Sequence, residues 1–408
     1  MTIFEIVAIL LTVTAVLSYV NHKFLRLPTT IGLMLVTLLA GIGLLVLKKF
    51  GWDFESHIHS LIVELDFEAI LMKFMLGFLL FAGALHVNIN DLLDKKWSIG
   101  ILATLGVVAS TFLIGGLLYG LSAVMKLDIP WMYCLVFGAL ISPTDPIAVL
   151  AILKKAKAPK GIETKLAGES LFNDGIAVVV FVVLLGIATG KHEADFKTIS
   201  LLFLEETGGG VLLGLVSGFL AYRLLKSVDN YQVEVIITLG LVSGAYALAP
   251  HLHISGPLAM VVAGLLIGNH GRRFAMSDRT TEHLDTFWEL IDEVLNALLF
   301  VLIGLEVLIL TLNKQYLIAG AIAIPMCLLA RFVCVAIPIS LLRRRREFSP
   351  NVIRLLTWGG LRGGIAVALA LAIPKDAAPR EIILTITYVV VAFSIIVQGL
   401  TVKFLVKR

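Results

Sequence analysis

Asp145 lies in the run GALISPTDPIAVLAIL, Glu169 and Asp174 in KLAGESLFNDGIAVVVFVVLLGIA, and Arg362 in LTWGGLRGGIAVALALAIP. Each is a charge set in an otherwise apolar stretch. A carboxylate in a low-dielectric surrounding, without a cation beside it, favours its neutral form and so can hold a proton. Ionised, it can instead hold a small hard cation, with hydroxyl and carbonyl oxygens completing the shell. Asp174, Asp145, Ser170 and the backbone near Thr144 offer that donor set. One carboxylate for which two cations compete is enough for exchange, provided the empty site does not cross the membrane. At about 100° per residue, Glu169 and Asn173 lie within roughly 40° of each other, and Asp174 lies about 140° from Glu169. The two acids therefore face different neighbours and do different jobs. Arg362 needs an acid in mid-membrane, and Glu169 is assigned to it. Such a pair sets the register of two crossing helices rather than adding net stability. Asp174 and Asp145 are left without an evident internal cation.

The elements that carry these residues must be membrane helices. Of 408 residues, 59% are hydrophobic and only 15% are charged, against about 25% charged in a typical soluble domain. Mean hydropathy is +0.97. A water-soluble enzyme, a disordered chain, a collagen and a disulfide scaffold are excluded. Apolar runs punctuated by polar turns predict thirteen helices near 3–20, 29–47, 66–86, 98–124, 130–153, 162–188, 198–222, 231–249, 255–269, 284–311, 315–342, 350–373 and 381–404. The fold class expected is an all-α polytopic membrane protein.

Charge orients the chain. One set of alternate loops and the C-terminal tail hold 20 basic residues, the opposite set holds 8, and 5 fall inside spans. By the positive-inside rule the N-terminus is expected outside and the C-terminus in the cytoplasm. The first segment lacks a basic leader region and carries Glu5, so it reads as a retained helix. No soluble domain is expected after the last span. A net charge of +4 is too small to imply nucleic acid. Cys134, Cys327 and Cys334 all lie in apolar runs, and no disulfide is expected.

Two spans contain what a plain membrane helix avoids. Pro143 and Pro146 bracket Thr144 and Asp145 in the fifth, and Gly359, Gly360, Gly363 and Gly364 surround Arg362 in the twelfth. Proline removes a backbone donor and clashes with the preceding turn. If helices 1–6 and 8–13 form two halves joined by helix 7, each interruption falls on the fifth helix of its half. Paired interruptions at matched positions point to a secondary transporter with inverted repeats and a midplane site.

Other features are read as follows. Glu289, Asp292, Glu293 and Asn296 share one helical face. They form either an acidic funnel at the cytoplasmic mouth or an interfacial turn ahead of a helix that starts later. Glu306 and Arg331 are read as structural, pairing or supporting the core. His57, His59, His251 and His253 fall on the outer face and read as wetted interfacial residues rather than a metal site. The glycines of 208–210 open no phosphate loop, since only an apolar helix follows. Arginines 343–346 read as a cytoplasmic anchor on anionic lipid.

The run from Ser142 to Phe181, SPTDPIAVLAILKKAKAPKGIETKLAGESLFNDGIAVVVF, closely resembles the NhaP/NHE-type sodium/proton antiporters of the monovalent cation:proton antiporter-1 family. WGGLRGGIAVALAL, SGPLAMVVAGLLIGN (255–269) and ELIDEVLNALLFVLIGLEV (289–307) extend the resemblance over essentially the whole membrane part. It implies an NhaA-like fold of thirteen helices in two inverted repeats, with helices 5 and 12 broken where they cross, and a homodimer in the cell (inner) membrane. It also implies a core (helices 4–6 and 11–13) that moves in an elevator fashion against a dimerisation part (helices 1–3 and 8–10), with helix 7 as linker. Asp174 becomes the ion- and proton-binding acid, Asp145 and Thr144 the unwound crossing, and Ser170 a ligand. Glu169 and Arg362 become the structural pair, with Asn173 beside the binding acid. Asn173, where relatives of another branch carry a second Asp, is similar to the electroneutral branch. Some relatives place a carboxylate in the third helix, where this chain reads FLLFAGALHV. The function expected is exchange of internal Na⁺ or Li⁺ for external H⁺ in pH homeostasis, with no cofactor. Its alternatives are a K⁺/H⁺ antiporter, a cation channel, and a sensor without flux.

Overall fold

The computed structural model describes residues 3–49, 67–146, 149, 150, 153, 160–193, 195–308, 310, 313–343 and 351–406. His57, His59, Arg344, Arg345, Arg346 and residues 154–159 lie outside the described residues. Those described form helices α1 (Ile3–Val20), α2 (Thr29–Lys49), α3 (Leu76–Leu85), α4 (Leu105–Met125) and α5 (Trp131–Ile141). They continue as α6 (Lys160–Ala188), α7 (Phe196–Leu225), α8 (Tyr231–Leu248), α9 (Gly256–Leu266), α10 (Asp278–Leu305) and α11 (Lys314–Leu342). The last four are α12 (Val352–Trp358), α13 (Gly364–Leu371), α14 (Arg380–Phe393) and α15 (Gly399–Val406). The fold is all-α, and among the described residues seven helices are long and apolar enough to cross a membrane. The chain is a multi-pass membrane protein.

Helix starts follow local chemistry. Asn230 accepts hydrogen bonds from the amides of Gln232 and Val233, Ser277 from Thr280, and Asn313 from Gln315. Each side chain satisfies an amide that the first turn leaves unpaired. Ser255 does the same for Leu258, with Pro257 in the first turn of α9 where its missing amide costs nothing. α10 begins at Asp278, ahead of the expected start near 284. The acidic residues 289–293 therefore lie well inside the helix, which overturns the reading that it starts after them. The glycines of 208–210 sit within α7, and Gly210 packs on Ser255 at the start of α9.

The core runs through the middle of the bundle. α6 packs against α5, α9 and the short helix Lys96–Ala103, while α11 packs against α14 and α4. Phe81, Phe137, Phe181, Trp288 and Phe300 are fully buried. On the periphery, α1 and α7 turn Val7, Leu11, Val16, Leu212, Val216 and Phe219 outward. In a bilayer these outward apolar chains meet lipid, which removes the usual penalty for exposing them.

Candidate functional site

α5 stops at Ile141, and Ser142 to Pro146 are not helical. α12 stops at Trp358, and the chain is helical again only from Gly364. The two non-helical stretches meet. The Asp145 amide donates to the Leu361 carbonyl at 2.8 Å in an antiparallel bridge. Residues of the wide turn after α14 satisfy two more backbone groups of the second interruption. Ser394 Oγ accepts from the Arg362 amide at 2.8 Å, and Gln398 Nε2 donates to the Trp358 carbonyl at 3.0 Å.

Interrupting a helix exposes carbonyls at the negative end of its dipole. Each interruption here has an arginine against those carbonyls. Arg362 Nη1 donates to the carbonyls of Ser142 (2.5 Å) and Pro143 (3.0 Å), at the end of α5. Arg331, from α11, donates through Nε (3.2 Å) and Nη2 (3.1 Å) to the carbonyl of Leu356, near the end of α12. Its Nη1 also forms an ion pair with Glu169.

The cation that Glu169 meets is thus Arg331, and the expected Glu169–Arg362 pair is corrected. Glu169 Oε1 is taken by Arg331, and Oε2 has no hydrogen-bond partner among the described residues. Arg362 spends its reach on backbone oxygens instead. Arg331 and Glu306 form no ion pair among the described residues, and of the two structural roles expected for Arg331 it takes the other, supporting the core. Arg331 packs so closely on Gly360 that a Cβ there would stand 2.7 Å from its Nε, so the glycine makes room for the guanidinium.

α6 fastens the first interruption from below. Asn173 Nδ2 donates to Thr144 Oγ1 at 2.9 Å, and the Thr144 amide approaches Asn173 Oδ1 at 3.5 Å. Ser170 Oγ donates to the Thr144 carbonyl. Both oxygens of Thr144 are thereby engaged, and Thr144 is not on the cavity wall. Ser170, which donates to it, is itself among the cavity-lining residues.

A cavity of about 480 Å³ opens beside the crossing, lined by Asp174, Asp145, Ser170, Pro143, Gly363 and, on α10, Glu289, Asp292 and Asn296. Glu293 is exposed and points elsewhere. The third-helix wall is apolar, formed by residues such as Leu79, Leu80, Ala82 and Gly83. Asp145 lies against Gly363, where any side chain would collide with its carboxylate. Asp174 is 8% exposed. Both arginines of the site are committed elsewhere, so its carboxylate faces the cavity with no guanidinium against it among the described residues. No three His, Cys, Asp or Glu side chains converge among the described residues. The donors on offer are single carboxylates supplemented by hydroxyl and carbonyl oxygens. Such a set suits a monovalent cation or a proton.

The structure brings Asp145, Ser170 and Asp174 to one cavity, with Glu169, Asn173, Thr144 and Arg362 as its frame. Sequence reasoning missed the capping by Arg331 and the polar supports Ser394 and Gln398.

Residues 9–408 match the family described as sodium/hydrogen exchanger, transmembrane. The Na(+)/H(+) antiporter NhaP of Pseudomonas aeruginosa is 49% identical, over 99% of this chain and 96% of that one. The Na(+)/H(+) antiporter NhaH of Halobacillus dabanensis is 37% identical, over 95% and 93%. The solved structure of the sodium proton antiporter MjNhaP1 from Methanocaldococcus jannaschii superposes with a TM-score of 0.78 at 20% identity, covering 100% of this chain and 99% of that one.

Proposed function

The chain belongs to the sodium/hydrogen exchanger family, and we propose that it exchanges cytoplasmic Na⁺ or Li⁺ for external H⁺ one for one. The observation that carries this reading is Asp174, a buried carboxylate on a cavity wall whose neighbouring cations are both engaged by other groups. It holds either a sodium ion, with Asp145 and Ser170 adding oxygens, or a proton. One acid alternating between two singly charged cargoes moves no net charge per cycle. Thr144, Asn173, Glu169, Arg331 and Arg362 keep the crossing in shape in both states.

Alternating access follows from the same division of parts. The crossing and α6 belong to a core, made with the fourth and eleventh to thirteenth spans of thirteen. This core slides as an elevator against a dimerisation part formed by spans 1–3 and 8–10 of a homodimer, with α7 as the link. The two six-span halves are inverted repeats. The basic loops put the N-terminus outside and the C-terminus in the cytoplasm.

In proteoliposomes, an imposed sodium gradient is expected to move protons without generating a membrane potential. Exchange that responds to voltage would remove the one-for-one stoichiometry, and conductance without proton movement would favour a channel. The sign of the pH effect follows from sharing one carboxylate. Protons displace sodium as pH falls, so apparent KM for Na⁺ rises, by about tenfold per pH unit once the site is mostly protonated. A KM independent of pH would mean two separate sites.

A further inference from the structure

We propose that Asp292 and Asn296 of α10 form a second binding site for the transported monovalent cation, a waypoint on the cavity wall between the exposed Glu289 and Asp174. The inference rests on the exchange reading above.

Glu289, Asp292 and Asn296 follow one another at helical spacings of three and four, and all three line the cavity that Asp174 and Asp145 line from the other side. Three further facts turn this from an acidic face into a site. Asn296 is 3% exposed, and its Nδ2 donates to the Asp292 carbonyl at 2.9 Å. That bond settles which way the amide points, because a carbonyl can only accept. Asn296 Oδ1 is therefore turned away from its own helix backbone, and it is buried without a hydrogen-bond partner among the described residues. A buried amide oxygen with no donor is costly unless something fills the place. Second, no lysine or arginine is among the residues lining this cavity, and its one basic side chain is His86. Third, Asp292 lies one turn before Asn296 on the same cavity wall, and Asp145 lines the same cavity, which makes the local field attractive to cations. A carboxylate and an amide oxygen are both hard ligands. Without a cluster of three acids among the described residues, the fit is to a monovalent ion that keeps part of its water shell.

The ligands sit on α10, whereas Asp174 sits on α6. A cation entering past Glu289 meets the waypoint first, within on the order of 10 Å of helix rise from Glu289 to Asn296. It then transfers to Asp174. The waypoint thus raises the local cation concentration at Asp174 only while the cavity is open on this side.

The test uses the full chain in everted and right-side-out membrane vesicles, with Na⁺ as the probe and proton movement as the readout. Asp292→Asn and Asn296→Ala are each expected to raise apparent KM for Na⁺ added on the cytoplasmic side by about tenfold. KM from the opposite side should stay at the wild-type value, with the loss confined to KM. Asn296→Asp, which keeps an oxygen there, is expected to restore the wild-type KM or lower it. Unchanged KM in both variants would overturn the waypoint and leave a water against Asn296. So would a fall in maximal rate without a KM change, or an equal KM rise from both sides, which would mean the Asp174 site itself is disturbed. Should Asp292→Asn fail to fold, Asn296→Ala and Asn296→Ser decide on the same oxygen. Wild-type vesicles without sodium-driven proton movement would instead sink the exchange reading, so the two failures are distinct.

Discussion

Two faces of α6 carry acids five residues apart, and they have opposite fates. On one, Glu169 is 1% exposed and locked to Arg331, which also holds the open end of α12. On the other, Asp174 looks into the cavity beside Asp145 and Ser170. The residue types are nearly the same, and the two lie about 7.5 Å apart along one helix axis. What separates them is rotation about the helix axis, which points one acid at a guanidinium and the other at a space an ion can occupy. A buried carboxylate is a strut or a binding group according to what fills the volume in front of it.

Asp174→Asn breaks the cavity side and has the largest expected effect. Exchange should be abolished while yield and melting behaviour of the purified protein stay near wild type. Retained sodium-driven proton flux would take the ion-binding role away from Asp174. Arg331→Ala breaks the strut side. It leaves Glu169 as an uncompensated buried charge and should cost about 3–5 kcal/mol of stability, read as a fall in Tm in detergent. Adding Glu169→Gln to that variant should return part of the loss, and no recovery would argue that the carbonyl contacts of Arg331 dominate. Arg362→Ala sharpens the comparison between the two arginines. Arg362 donates to backbone oxygens and forms no ion pair among the described residues, so its removal should cost less, about 1.5–3 kcal/mol, with little change in sodium KM. A larger loss of stability than for Arg331→Ala would reverse the ranking.

The two interruptions are alike in plan and differ in how they are held. Each leaves carbonyls at a helix end, and each has an arginine from elsewhere in the chain set against them. The first is fastened by Ser170 and Asn173 of α6, the second by Ser394 and Gln398 after α14. The polar residues of α6 stood out in the sequence because they cluster within five positions. Ser394 and Gln398 did not, because isolated polar residues in an apolar span are common and their partners lie more than thirty residues away in the chain.

Much of the architecture is written in the sequence itself. Long apolar runs mark helices because a bilayer demands about twenty such residues per crossing. Proline and glycine mark interruptions because they act on their own backbone. The angle between Glu169 and Asp174 is likewise a property of one helix. These are local effects, and the sequence states them directly. The pairing of Glu169 with Arg331 instead of Arg362 is of another kind, and so are the burial of Asn296 beside Asp292 and the start of α10 ahead of its acidic turn. Partner choice among several embedded charges depends on which helices approach, at what height and with what rotation. Such distances arise from the packing of the whole bundle, so only the assembled fold could assign each charge its neighbour.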